Sequence, residues 1–200
     1  MSSSCDIEPQ FIESSGGAYA KAVNSTAIID ALDRAPEVVV PLLREMPPSL
    51  LKRRRPTGKW SAHEHACHLA VVHGLFVDRL DAMLSAPAPV IAPYDPGQSD
   101  PDDMLLQLDL ETMLHRYVAD RHALVARLRQ LAPDDWHRTA RHAEYSHYSV
   151  LIMFRHLALH DFFHAYRIEE LLLRKEWIEE WRASGQSDVT RTAAPPADRP

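Results

Sequence analysis

The chain contains few cysteines, few glycines and no long apolar run, and each shortage excludes a class of protein. Two cysteines in 200 residues, Cys5 and Cys67, build no disulfide framework, which favours a reducing compartment. The six glycines form neither a P-loop nor a dinucleotide-binding pattern. No stretch approaches about 18 uninterrupted apolar residues, and residues 1–10 do not read as a secretory signal. We therefore expect a cytoplasmic protein that does not enter a membrane.

Basic residues are outnumbered as well, with 22 Lys and Arg against 28 Asp and Glu and a formal net charge of -6. Nucleic-acid binding relies on clustered basic side chains, so this balance argues against it. We interpret the one basic run, 52–55, as a solvated loop, with an anionic ligand as the minor alternative. A hydrophobic content of 46% and a charged content of 25% are typical of a globular domain.

Long stretches of helical periodicity predict an all-α four-helix bundle. The second helix has the clearest start, because Ser61 and Glu64 form a capping-box pattern there. We expect Pro36 and Pro41 to kink or split the first helix. The four predicted helices span about 25–46, 61–85, 104–131 and 149–181.

The segments between and beyond these helices differ in character. Residues 86–103 are a proline-rich crossing loop, and residues 134–148 are irregular or briefly extended. Residues 1–23 and 184–200 are polar and show no periodicity, so we expect a flexible start and a disordered tail. The folded domain is therefore predicted to span residues 24–183.

Histidine is abundant, with 12 in the chain, and three histidines fall on predicted inward faces. His160 and His164 lie four residues apart, and therefore on one face of the fourth helix, in a line of apolar side chains. On the second helix, His68 lies on the inward line with Val72 and Phe76. An unpaired buried imidazole costs free energy, so three imidazoles converging from two helices predict a divalent-metal site with an open position.

Each histidine also has a purely structural interpretation. A single histidine on an apolar face is more often a hydrogen-bonded core residue than a ligand, and the spacing of 160 and 164 alone leaves both interpretations open. His156 forms an equally spaced pair with His160, and we interpret it as a residue at the rim of the site. Cys67 is expected to be buried packing. The remaining histidines of the second helix are expected to be solvated or to support the ligands: His63, His65 and His73.

Other polar residues bear on function. Arg121 lies on the inward line of the third helix, where it could anchor a carboxylate of a substrate or a thiol cofactor. A structural ion pair with a core carboxylate is the equally weighted alternative. Asp161 either orients a histidine or faces solvent. Three residues before the fourth helix could line the mouth of the site: Tyr145, His147 and Tyr148.

Three stretches, taken in order, resemble the DinB-like superfamily, in particular its YfiT group of metalloenzymes. They are GKWSAHEHACHLA at 58–70, RHALVARLRQL at 121–131 and HLALHDFFHAYRIEELL at 156–172. The resemblance implies a four-helix bundle with an up-down-down-up path and a long crossover between the second and third helices. It also implies that the metal ligands are the same three residues that the periodicity selects: His68, His160 and His164.

The resemblance further implies a reaction. Family members include S-transferases that use low-molecular-weight thiols such as bacillithiol, mycothiol or glutathione. Three histidines suit Zn²⁺ or Ni²⁺, and a thiol at the open position would be held as a thiolate that attacks an electrophilic substrate. The same site could instead activate water, as in a metal-dependent hydrolase. A non-catalytic bundle that binds metal or forms a homodimer is the third alternative.

Overall fold

The structure is a computed structural model that describes residues 24–56, 58–94 and 103–185. The predicted flexible start, 1–23, and most of the predicted disordered tail, 186–200, lie outside the described residues. The described elements, in chain order, are α1 (Ser25–Glu45), α2 (Pro48–Leu51), α3 (Ala62–Ser85), β1 (Val90–Ile91), α4 (Met104–Gln107), α5 (Leu110–Leu128), a 3₁₀ helix (Pro133–His137), β2 (Thr139–His142), β3 (Tyr148–Ser149), α6 (Val150–Leu172) and α7 (Lys175–Ala183).

Four helices, α1, α3, α5 and α6, form the predicted bundle. α1 and α3 each pack against both α5 and α6, so α1 and α3 occupy opposite corners. The all-α four-helix fold is confirmed. The up-down-down-up path stays a prediction, because part of the connection between α3 and α5, residues 95–102, lies outside the described residues. Within the described segments, every helix is too short or too polar to pass through a lipid bilayer.

α1 is one continuous helix although Pro36 and Pro41 lie inside it. It starts where predicted, because the side chain of Asn24 accepts a hydrogen bond from the backbone N–H of Ala27 at 2.8 Å. Apolar residues on both sides of the prolines are buried against α5 and α6, and this packing outweighs the lost backbone hydrogen bonds. The expectation of a split helix was wrong.

The third and fourth predicted helices each divide in two. The side chain of Asp109 accepts a hydrogen bond from the backbone N–H of Thr112 at 2.9 Å, so it caps α5 and separates it from α4. α6 ends at Leu172, and α7 follows two residues later. In both places the helical spacing of apolar residues continues although the helix itself is interrupted. The sequence therefore predicted one longer helix.

α3 begins with the predicted capping box. The Ser61 hydroxyl accepts from the backbone N–H of Glu64 at 3.3 Å, and the Glu64 carboxylate accepts from the backbone N–H of Ser61 at 2.9 Å. All residues from 61 to 70 are buried, because α2 and α4 cover the outer face of this helix start. The histidines of these turns are therefore inside the protein.

The basic run at 52–55 is not a solvated loop. Arg54 forms ion pairs with the buried carboxylate of Glu64 and with Asp103. Lys52 Nζ donates to the carbonyl oxygen of Leu106 at 2.7 Å. Carboxylates and a backbone carbonyl therefore bind these cations. The contacts hold the connection between α2 and α3 against α4.

The bundle core consists of two apolar clusters with a polar layer between them. One cluster includes Leu32, Phe76 and Leu157, and the other includes Leu43 and Leu69. The buried polar residues at the level between the clusters are His73, Arg121, Asp161 and His164, with His160 partly exposed beside them. Because burying polar groups costs free energy, this layer is where a function is expected.

The three short strands form one patch. β1 pairs with β2 in parallel, with Ile91 opposite His142, and β2 pairs with β3 antiparallel, with Ala140 opposite Tyr148. This pairing brings the residues after α3 next to the segment that leads into α6. The patch forms one wall of the cleft described below.

Candidate metal centre

His68 from α3 and His160 and His164 from α6 converge in the polar layer. His160 Nε2 lies 3.1 Å from His68 Nε2 and 3.0 Å from His164 Nε2. One ligand atom from each residue lies within 4.8 Å of the others. His68 and His164 are buried, whereas His160 is partly exposed, so the cluster has a closed side and an open side.

The spacing of the nitrogens fits one divalent ion. Imidazole nitrogens bind Zn²⁺ at about 2.0–2.1 Å, so two of them on one ion lie about 3.0–3.4 Å apart. A single proton cannot satisfy three lone pairs that point at one place, whereas a cation accepts all three. The donor set therefore matches an ion with three imidazole ligands.

Burial keeps the imidazoles in the neutral form that a ligand needs. It lowers the pKa of His68 to about 3, and repulsion from His160 and His65 acts in the same direction. Burial, with repulsion from the neighbouring histidines, also lowers the pKa of His164 well below its ordinary value. Neither residue has to release a proton at pH 7 before it binds a cation.

His65 supports His164 directly. Its side chain is buried, and the Nδ1 atoms of His65 and His164 lie 2.8 Å apart. Because His164 Nε2 faces the other candidate ligands, we assign the proton to its Nδ1, which donates to His65. Burial lowers the pKa of His65 to about 4, so its ring stays a neutral acceptor. Of the two interpretations of His65, the solvated one is wrong, and the contact with His164 is the one that a supporting role requires.

Trp60 covers the closed side of the cluster, and we did not single it out from the sequence. Its ring centroid lies 4.8 Å from that of His68, 5.5 Å from that of His65 and 6.1 Å from that of His164. The residue before an N-cap often packs against the fourth residue of the helix, which here is His65. A tryptophan directly before the Ser61 cap was the available signal.

Three further buried residues of α3 make their contacts away from the candidate ligands: His63, His73 and Cys67. His63 Nε2 lies 3.1 Å from the carbonyl oxygen of Leu105, at the start of α4. His73 Nδ1 lies 3.2 Å from Arg121 Nη1. Cys67 is buried as expected, and burial raises the pKa of its thiol to about 12. The solvated alternative for His63 and His73 was wrong.

Arg121 and Asp161 form a completely buried ion pair. Arg121 Nη2 donates to Asp161 Oδ1 at 2.8 Å, and the hydroxyl of Tyr117 donates to Asp161 Oδ2 at 3.2 Å. These contacts are those of the structural alternative for Arg121, and its role as a substrate anchor stays a prediction. Asp161 does not face solvent, and its Oδ1 lies 4.0 Å from His160 Nδ1, too far for a hydrogen bond.

A cleft of about 170 Å³ opens on the exposed side of His160. Of the three residues predicted to line the mouth of the site, Tyr145 and Tyr148 line this cleft, and His147 does not. His156 lines it too, which agrees with its predicted place at the rim. The candidate ligands therefore have a route to a small molecule from the side of α6 and the strand patch.

The ion pair between Arg121 and Asp161 gives a stability test. Asp161→Leu and Arg121→Met should each lower the free energy of unfolding by about 3–5 kcal/mol, because each leaves an unpaired buried charge. The double variant should lose less than the sum of the two losses, by about 1–3 kcal/mol. Urea unfolding of the four proteins measures this. Strictly additive losses would show that the two side chains do not depend on each other.

Comparisons with known proteins agree with this geometry. The family model of the DinB superfamily matches residues 31–168. The structure is similar to that of YfiT from Bacillus subtilis, described as a probable metal-dependent hydrolase with an unusual four-helix bundle topology; the TM-score is 0.68 at 22% identity, over 84% of this chain and 93% of that one. No curated protein matches the sequence. Because the family model spans well over half of its length, the chain belongs to the DinB superfamily.

Proposed function

We propose that His68, His160 and His164 hold one divalent ion, Zn²⁺ or Ni²⁺, and that the chain is an enzyme acting on a small molecule in the cleft beside His160. The observation that carries this proposal is the convergence of three imidazole nitrogens at 3.0 and 3.1 Å next to an open cleft. Membership of the DinB superfamily supports it.

Residues around the three candidate ligands favour metal binding. His65 accepts a hydrogen bond from the Nδ1–H of His164, so that Nε2 of His164 keeps its lone pair for the cation. Trp60 packs against the ring of His68 on the closed side. A divalent ion with three imidazole ligands supplies Lewis-acid chemistry and lowers the pKa of a water or thiol at its open position. His156, in the lining of the cleft, is placed to accept the proton that the nucleophile releases.

Hydrolysis of a small ester or amide is the reaction we rank first. The cleft beside His160 has a volume of about 170 Å³, which suits one small substrate. The description of YfiT as a probable metal-dependent hydrolase points the same way. In this reaction the oxygen of water bonds to the acyl carbon, the bond to the alcohol or amine breaks, and that leaving group takes up the proton.

Transfer of a low-molecular-weight thiol is the second candidate, and the family resemblance of the three sequence stretches favours it. The side chain of His160 is 19% exposed, so a thiol such as bacillithiol, mycothiol or glutathione has access from solvent. The thiolate sulfur would bond to an electrophilic carbon of the second substrate, and the bond from that carbon to its leaving group would break, with the leaving group departing with the electron pair. Because the nucleophile differs between the two reactions, they are separable by experiment.

The metal site is tested by the metal content of histidine variants purified without a polyhistidine tag. Wild-type protein should bind about one divalent ion per chain, and Ala at position 68, 160 or 164 should abolish stoichiometric binding, because two imidazoles hold an ion weakly. His65→Ala should weaken the affinity by about 10- to 100-fold. The exposed His122 is the matched control, and His122→Ala should bind like wild type. Full metal content in His164→Ala would remove the site from this position.

The reaction is tested by comparing two assays on metal-loaded and metal-free protein. The hydrolase proposal predicts metal-dependent cleavage of small 4-nitrophenyl esters without any thiol, at least about 100-fold faster than in His164→Ala. The transferase proposal predicts conjugation of bacillithiol, mycothiol or glutathione to 1-chloro-2,4-dinitrobenzene, with the same dependence on metal. His122→Ala should behave like wild type in both assays. Metal-loaded protein that is inactive in both contradicts the enzyme proposal and favours the non-catalytic alternative.

A further inference from the structure

Arg79 is a buried cation in the wall of the cleft, and no carboxylate pairs with it among the residues that the structure describes. The residue is only 9% exposed. Its Nη1 donates to the hydroxyl of Tyr148 at 3.2 Å, and its Nη2 donates to the carbonyl oxygen of Ala92 at 2.7 Å. Both acceptors are neutral, so the charge of Arg79 is not compensated by these contacts.

Arg79 differs from Arg121 in the groups that its guanidinium contacts. These two are the buried arginines of the described segments, and Arg121 has its partner in Asp161. Burying a guanidinium without an anion costs free energy, and buried arginines are rare unless they are paired. A guanidinium also has five N–H donors in one plane, of which the contacts of Arg79 use two. The remaining capacity matches a carboxylate.

The other residues that line the cleft limit which molecule can carry such an anionic group. Aromatic rings form much of the lining, including those of Phe76, Tyr94 and Tyr145. Glu144 is the one acidic residue of the lining; it is exposed and forms no ion pair with Arg79. The cleft therefore combines aromatic and aliphatic side chains with two histidines, His142 and His156, between its cationic wall and the candidate ligand His160, and its volume of about 170 Å³ suits a small molecule.

We propose that Arg79 binds the carboxylate of a small, singly charged substrate with an apolar or aromatic body, and that the reacting group of this substrate lies at the opposite end, toward His160. The proposal deepens the proposed function and rests on it for the identity of the reacting end. The hydroxyl of Tyr148 holds the guanidinium in the wall of the cleft. The substrate class is thus a short carboxylic acid that carries the ester or amide bond to be cleaved.

The test is equilibrium binding of benzoate and of its neutral isostere benzamide to the full chain, measured by calorimetry. The metal-free protein is used, so that benzoate cannot bind through the ion and the result does not depend on the metal site. Wild-type protein should bind benzoate at least tenfold more tightly than benzamide. Arg79→Gln, which keeps polar donors but loses the charge, should remove this preference without changing benzamide binding.

Arg138 provides the matched control. It also donates to backbone carbonyls, at the C-terminal end of α3, with Nε 2.6 Å from the oxygen of Met83, but it does not line the cleft. Arg138→Gln should therefore keep the preference for benzoate. Equal affinity for the two probes in wild type, no measurable benzoate binding, or an unchanged preference in a folded Arg79→Gln variant would each overturn the proposal. If Arg79→Gln does not fold by circular dichroism, the comparison of the two probes on wild type decides.

Failure of this inference is distinguishable from failure of the proposed function. A preference for benzoate that depends on Arg79, in a chain that binds no divalent ion, would support the anion site and contradict the metal site. Metal-dependent cleavage of 4-nitrophenyl acetate and of the singly charged 4-nitrophenyl succinate with equal kcat/KM, in wild type and in Arg79→Gln alike, would leave the hydrolase proposal intact and overturn the role of Arg79.

Discussion

An imidazole buried among the apolar side chains of a helical bundle gives up its hydrogen bonds to water, and the surroundings of the histidine cluster offset that loss. His164 uses one nitrogen on His65 and directs the other toward His68 and His160. Trp60 packs over the rings on the closed side. These contacts leave three lone pairs directed at one place, which only a cation satisfies together.

Two kinds of buried charge lie inside the bundle. Arg121 and Asp161 neutralise each other inside the bundle and join α5 to α6. Within the described segments, Arg79 donates only to neutral acceptors at the cleft, and its charge is the one that the proposed anion site uses. A buried cation with a partner and one without therefore have different roles, although both are arginines on inward faces of bundle helices.

The sequence predicted the four-helix fold, the start of α3 and the three histidines that converge, because helical periodicity alone decides which side chains share a face. It did not predict the contact between His65 and His164, which depends on how α3 and α6 are rotated against each other. The sequence did not show which buried arginine has an acidic partner, because such a partner can lie on another helix. Arg121 on α5 pairs with Asp161 on α6 in this way. The cleft could not be predicted either, because one of its walls comes from strand pairs between distant segments.

The central claim is that three imidazoles from α3 and α6 bind one metal ion, and X-ray absorption at the metal edge tests it most directly. The sample is the metal-loaded full chain without a polyhistidine tag. The spectrum should show three imidazole ligands at about 2.0–2.1 Å, with the multiple scattering of histidine rings, and further light-atom neighbours at the open position. A sulfur neighbour at about 2.3 Å, which Cys67 would supply, or a shell of oxygens without imidazole scattering, would contradict the account.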